Sequence, residues 1–376
     1  MGRGSLRKLI GGGGAMASDS DRDVFSIFGP FHLTSIDWTN SYHRTSVASS
    51  LVNGVYTMER DKQEKRVGSE SRAMPWWDFF NFSLVETLID DYDSSIYGAV
   101  FEYKLSNLCQ NTSHAKAPPR YVIAFRGTIL ESDTWMTDVK HNLKFSFNTL
   151  HEGGRSLQAI RAIRSMVDKH SEAAIWLAGH SLGAALVLLA GKTMTSFGFL
   201  LESYIFNPPI SCIPLEQLPG GKKIKGVFQF TKTVVKATVA MVLTDLQVKE
   251  DDPKTASWIP YLYVNPADPI CAGYIDYFRH KTFMSEIGAS HIERIGAGKS
   301  VRSLLMGKSS SSDLSTEPLH LLPSADMIVN KNKPTKAMTA DGLHQWWERD
   351  SAMRENWESC CIRPYPDGKL EQLTIQ

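Results

Sequence analysis

An α/β fold with a mostly parallel central sheet and helices on both faces is what this chain predicts, on three observations. Residues 173–190 run from an apolar strand through the tight sequence Gly179-His180-Ser181-Leu182-Gly183 into a helix rich in Ala and Leu. On either side of that turn, β-branched and aromatic runs alternate with stretches of helical period, and strands separated by helices pair in parallel because each return needs a crossover. Finally, 376 residues of 42% hydrophobic composition are enough to bury one large core. We therefore expect a single large domain over residues 25–376, preceded by a glycine-rich, disordered leader of residues 1–24.

After the leader, residues 41–64 space Val47, Leu51, Val55 and Met58 ahead of a charged run, which predicts a scaffold helix with one exposed face. Trp76, Trp77, Phe79, Phe80 and Phe82 follow as a dense aromatic cluster, which either lines an apolar pocket or covers one side of the core. Residues 95–103 and 120–127 are neighbouring strands parted by a polar loop with Pro118 and Pro119. The second ends in Phe125-Arg126-Gly127-Thr128, a turn at a strand end, where α/β proteins bind ligands. Residues 157–170, with Ile160, Ile163, Met166 and Val167 at helical spacing, are the crossover helix into the next strand. Short strands at 203–206 and 261–264 close in Asn207-Pro208-Pro209 and Asn265-Pro266-Ala267-Asp268-Pro269. Between them lies an insertion, residues 211–258, whose lysine-bearing apolar stretch reads as a surface helix and a possible lid. Residues 299–315 are Ser-rich and expected to be mobile.

Composition excludes several classes of function. Lysine and arginine total 41 against 40 acidic residues, for a net charge of +1, and no basic block suggests a nucleic-acid groove. The five cysteines are odd in number and lack metal-ligand spacing, which fits reduced thiols in a cytoplasmic protein. No stretch approaches the ~20 apolar residues of a membrane helix. The basic start is too short in apolar residues for a secretory signal, leaving organelle targeting as a weak alternative.

The turn at residues 179–183 carries the chemistry. A serine between a strand and a helix that approach closely sits in a strained conformation with glycines two residues to either side, and its hydroxyl is exposed at the sheet edge. Such a hydroxyl becomes a nucleophile when a histidine takes its proton and an acid orients that histidine. Chain order Ser, acid, His is met by Ser181, then Asp268 just past a strand, then His344 near the C-terminus, with His320 as alternative base. His320 lies in an apolar run that suits a core histidine. His344 follows the turn residues Asp341-Gly342 and precedes Trp346 and Trp347, which would fix the local backbone. His180, next to the serine, projects elsewhere and reads as structural. The backbone amides of Thr128 and Leu182 are placed to aim at one point.

The blocks Phe125-Arg-Gly-Thr128, Trp135-Met-Thr-Asp138, Gly179-His-Ser-Leu-Gly183, Asn265-Pro-Ala-Asp268 and Leu343-His344-Gln-Trp-Trp347 resemble the class 3 lipases of the α/β-hydrolase superfamily, in a plant branch loosely labelled GDSL esterase/lipase-like. The resemblance spans residues 25–376. It implies an α/β-hydrolase fold with the insertion placed before the catalytic acid. It also implies Ser181 as nucleophile, Asp268 as acid, His344 as base, an oxyanion hole from Thr128 and Leu182, and Asp138 as a brace for the loop after Thr128. The implied activity is hydrolysis of fatty-acyl esters through an acyl-serine, with a lipid or small ester as substrate, transient contact with a membrane surface, and neither metal nor organic cofactor. The alternative is a hydrolase-fold receptor or scaffold without catalysis. The chain contains no Gly-Asp-Ser-Leu block, so that label does not describe its chemistry.

Overall fold

A computed structural model describes residues 23–104, 117–129, 154–170, 175–209, 257–286, 322–333, 340–364 and 370–374. The leader through residue 22, Asp138, residues 211–256 of the insertion, residues 299–315 and His320 lie outside them. The described strands are β1 (Phe82–Ile89), β2 (Ile96–Tyr103), β3 (Tyr121–Phe125), β4 (Ile175–His180), β5 (Glu202–Phe206), β6 (Tyr261–Val264), β7 (Ala325–Asn330), β8 (Trp357–Pro364) and β9 (Leu370–Thr374). They form one sheet in sequence order. β3 to β7 pair in parallel, and antiparallel pairs flank them at both ends. Only β2 and β8 run against the rest.

Consecutive parallel strands laid down in one direction place their right-handed crossovers on one face of the sheet. That face carries helices α2 (Gly154–Lys169), α3 (Leu182–Ser196) and α4 (Gly273–Glu286), and the strands send it Ile123, Phe125, Ile175, Leu177, Ile205, Leu262 and Met327. The opposite face then needs a helix from elsewhere in the chain. The N-terminal helix α1 (Ser41–Gln63) supplies it, against the alternate residues Val122, Ala124, Trp176, Ala178, Tyr204, Phe206 and Tyr263. Period-two alternation along each strand thus divides the interior into two cores.

α1 departs from the expected helix with a solvent face. Asn40 caps it by accepting the Tyr42 and His43 amides, and much of its circumference is buried, including Ser46, Ser49 and Thr57. Those hydroxyls donate to the carbonyls of Tyr42, Thr45 and Asn53 one turn back, so their burial leaves no unpaired group. The aromatic cluster covers core: Trp76, Trp77, Phe80 and Phe82 are buried, with the two tryptophans seated against Gly54 of α1.

β4, α3 and the end of β3 meet almost backbone to backbone. A Cβ on Gly183 would overlap the Phe125 carbonyl oxygen and lie 2.7 Å from that of Arg126, while a Cβ on Gly179 would lie 2.6 Å from the Gly183 carbonyl carbon. Because the opposing atoms are backbone, neither clash can be relieved by a rotamer change. Gly183→Ala should cost at least about 3 kcal/mol, beyond the usual range for overpacking. Urea unfolding would register it as a lowered midpoint at unchanged slope, and a wild-type midpoint would contradict this packing.

Candidate active site

The sharp reversal between β4 and α3 is made at Ser181, whose backbone stands at φ 51° and ψ −118°. A positive φ in a residue with a side chain costs about 1–3 kcal/mol and persists only where the surroundings enforce it. Here the Gly179–Gly183 contact and the bond from the Ser181 amide to the Phe206 carbonyl, 3.0 Å long, enforce it. Ser181 remains 8% exposed at the carboxyl edge of the sheet. It precedes the first turn of α3, where backbone N–H groups lack intrahelical partners and the helix dipole favours negative charge. Leu182 is the first residue of that helix.

The next strands end in side chains that converge. Asn207, after β5, donates from Nδ2 to Asp268 Oδ2 at 2.9 Å and to the Ala340 carbonyl at 3.0 Å, and its Oδ1 accepts from Trp346 Nε1 at 3.0 Å. Asp268, after β6, is fully buried and also accepts the Ile270 amide at 2.9 Å. Gln345 uses its whole side chain. Its Nε2 donates to the Ala340 and Gly342 carbonyls, and its Oε1 accepts from Asn265 at the end of β6 and Asn330 at the end of β7. These bonds pin residues 340–347 across the carboxyl ends of β5, β6 and β7. Within the 3-10 turn Leu343–Trp347, four residues are buried and His344 alone is exposed. The two tryptophans fix this backbone as their position suggests, Trp346 through Asn207 and Trp347 through the Phe28 carbonyl at 2.7 Å.

His180 is buried, with its ring against α1. Its Nδ1 lies 2.8 Å from Tyr56 Oη and its Nε2 lies 2.6 Å from the Asp341 carbonyl. Asp341 Oδ1 is buried without a hydrogen bond, 3.3 Å from the same Nε2. Burial opposes charge on the ring, but the Tyr56 oxygen and the Asp341 carboxylate outweigh it and hold the His180 pKa well above its ordinary value. Asp268 is pushed up to about 6, first by burial and then by the Asp341 carboxylate, against the lowering effect of its bonds from Asn207, Cys271 and Ile270. Burial, with Asp268 beside it, also raises the Cys271 thiol. Among the described residues, no three His, Cys, Asp or Glu side chains converge as a metal site. None of the described helices is long and apolar enough to cross a membrane.

Of the residues singled out from sequence, Ser181, Leu182, Asp268 and His344 all stand on elements that end or lie at one sheet edge. Thr128 follows Gly127, whose α-carbon abuts Ser181. Asn207, Asn265, Gln345 and Asp341 were not singled out. The Asn-Pro pairs that close both strands are the local signal for the first two.

A serine at a strand-to-helix reversal, followed along the chain by a buried acid and a histidine at the same edge, defines the α/β-hydrolase type of site. The class 3 lipase family profile matches residues 122–213, from β3 through the serine turn and past β5. Beyond that segment, a protein of Arabidopsis thaliana named a GDSL esterase/lipase is 40% identical over 345 residues, covering 88% of this chain and 96% of its own length. The chain belongs to the class 3 lipase family, in its plant branch. No solved structure matches it.

Two expectations follow from the site. Ser181→Gly removes the cost of positive φ and should raise the unfolding free energy by about 1 kcal/mol. Ser181→Ala, which keeps a Cβ, should not; equal stabilities in calorimetry would mean that the turn is unstrained. For Asp268, a folded pKa near 6 lies above the ordinary 3.8. Stability contributed by this group is therefore present below pH 3.8 and lost as pH rises through about 6. Between pH 4 and pH 7, Asp268→Asn should gain roughly 2–3 kcal/mol relative to wild type. Parallel denaturant series at the two pH values measure that difference, and a pH-independent gap would place the Asp268 pKa at its ordinary value.

Proposed function

We propose that the chain is a serine carboxylester hydrolase that cleaves fatty-acyl esters through an acyl-serine intermediate. The observation that carries this reading is the strained reversal at Ser181, which holds a hydroxyl at the helix N-terminus and against the end of β3. A structural turn has no need of a serine at positive φ, where glycine is more stable.

In this reading His344 takes the Ser181 proton as the hydroxyl attacks the ester carbonyl, and returns it to the departing alcohol. Asp268 orients the imidazole and stabilises its cation. The Thr128 and Leu182 amides donate to the oxyanion, each contributing about 3 kcal/mol to the transition state. Water then enters with the same histidine as base and releases the fatty acid. The substrate is a lipid or small ester, met in the cytoplasm or by transient contact with a membrane surface. The name of the Arabidopsis relative supports the ester class. Acyl transfer through a serine uses no cofactor in these steps.

A fluorophosphonate probe should label the purified protein, and Ser181→Ala should abolish both labelling and turnover of short- and long-chain esters. His344→Ala should lower kcat by about 10²–10⁴-fold in a folded protein, the range for loss of a general base. His320→Ala should leave kcat near wild type. A folded wild-type protein that neither labels nor cleaves any ester in a lipid panel would favour the receptor alternative. Normal turnover in His344→Ala with loss in His320→Ala would transfer the base to His320.

A further inference from the structure

Gly127 follows β3 and packs against the serine turn, and both of its peptide groups are held by side chains. Its N–H donates to Tyr56 Oη at 2.7 Å, and its carbonyl accepts from Arg126 Nη1 at 2.7 Å. Tyr56 comes from the middle of α1 and is buried. Arg126 is buried as well and is itself anchored by donating from Nε to the Ile96 carbonyl at 2.5 Å. A Cβ on Gly127 would lie 2.6 Å from Tyr56 Oη and 2.8 Å from Ser181 Cβ, so tyrosine, glycine and serine are packed with no room between them.

Holding the Gly127 carbonyl sets more than that one atom. The Gly127–Thr128 peptide is planar and trans, so its N–H points opposite to its C=O. A guanidinium fixed on the carbonyl therefore fixes the direction of the Thr128 amide. The tyrosine fixes the preceding peptide in the same way, leaving the Gly127 backbone little freedom to rotate about either bond.

Tyr56 also reaches the other half of the site. Its oxygen bonds His180 Nδ1 at 2.8 Å, and His180 Nε2 meets the Asp341 carbonyl at 2.6 Å. A carbonyl only accepts, so Nε2 carries a hydrogen whether the ring is neutral or cationic. In the neutral ring the tyrosine hydroxyl donates to Nδ1; in the cation Nδ1–H donates to the tyrosine oxygen. In both states one path of bonds runs from Gly127 through Tyr56 and His180 to Asp341, three residues before His344.

We propose that Arg126, Tyr56 and His180 are positioning residues that hold the Gly127–Thr128 peptide as an oxyanion donor beside Ser181 and tie it to the segment carrying His344. This rests on the ester-hydrolase reading and adds to it three side chains that touch neither substrate nor reacting atoms. A preorganised donor acts on the transition state and hardly on bound substrate, and misplacing one by an ångström costs about 10²-fold.

The test uses the full chain with Tyr56→Phe, which removes the bridging oxygen at nearly constant volume, and Arg126→Lys, which keeps the charge and one donor while losing the fork. Active sites are counted by fluorophosphonate titration, so that misfolded protein does not enter the rates. The expected result for Tyr56→Phe is a 10- to 100-fold loss in kcat with KM within twofold, matched by an equal loss of affinity for a trifluoromethyl ketone, whose serine adduct carries a tetrahedral oxyanion. Arg126→Lys should fall between wild type and Tyr56→Phe on both measures. A merely structural role would reduce the titrated fraction and leave the ketone's inhibition constant per active site unchanged. Wild-type inhibition constants in either variant that folds, with turnover still abolished in Ser181→Ala, would overturn the positioning role while sparing the hydrolase reading. Absence of any Ser181-dependent turnover or labelling in wild type would remove both.

Discussion

The close approach of backbone at Gly179 and Gly183 governs the rest of this molecule. Because β4 and α3 are stacked with no side chain between them, the chain has one residue in which to reverse, and that residue is driven to positive φ. The energetic cost at Ser181 is met by burial on both sides: Ile175 and Leu177 in one core, Trp176 and Ala178 in the other, none more than 4% exposed. Two flanking cores are needed to hold such a turn, and the second exists only because α1 covers the face that the crossovers cannot reach. A distant N-terminal helix is in this sense part of the serine's geometry.

A sheet edge that gathers strand ends also gathers their unpaired backbone groups. The molecule meets this with amides of both kinds. Asn207, Asn265 and Asn330 end three adjacent strands, and Gln345 joins two of them to the turn carrying His344. Every polar atom of the Gln345 side chain is used twice or bonded to a carbonyl, so the segment is held without charge. A cation beside Asp268 would hold its pKa well below the ordinary value, whereas the neutral Asn207 amide lowers it less than burial and the Asp341 carboxylate raise it.

Much of the fold was legible in the sequence, and the misses have physical causes. β3, β4 and β6 are largely buried on both faces, so they read as apolar runs. β1 does not: its centre, Leu84 to Glu86, is exposed, and bulges at Leu84/Glu86 and Leu88/Ile89 break its period. β8 and its partner β7 carry mixed residues on a sheet flank and gave no run long enough to read. At the site, Ser181 was legible because its glycine spacing reports a backbone contact directly. Asp268 and His344 are expectations from order along the chain and from resemblance, and both stand at the same sheet edge as Ser181. The residues bonded around them, Tyr56, Arg126, Asn207 and Gln345, were not legible, because each reaches a partner 30 to 139 positions away, and no local pattern encodes such a pairing.

Two carboxylates and one buried imidazole share the space behind the serine, and their arrangement sets how the charge there is distributed. Asp341 lies close enough to Asp268 to raise its pKa, yet it faces His180, whose ring it and Tyr56 keep receptive to a proton. A proton on His180 offsets the Asp341 charge and relieves Asp268 of a like-charged neighbour; loss of that proton returns the repulsion. The His180 ring and Asp268 are thus linked through the Asp341 carboxylate, which faces the one and raises the pKa of the other. That coupling explains why a histidine serves here better than an apolar residue of similar size, which would satisfy the packing but leave Asp341 uncompensated beside a buried acid.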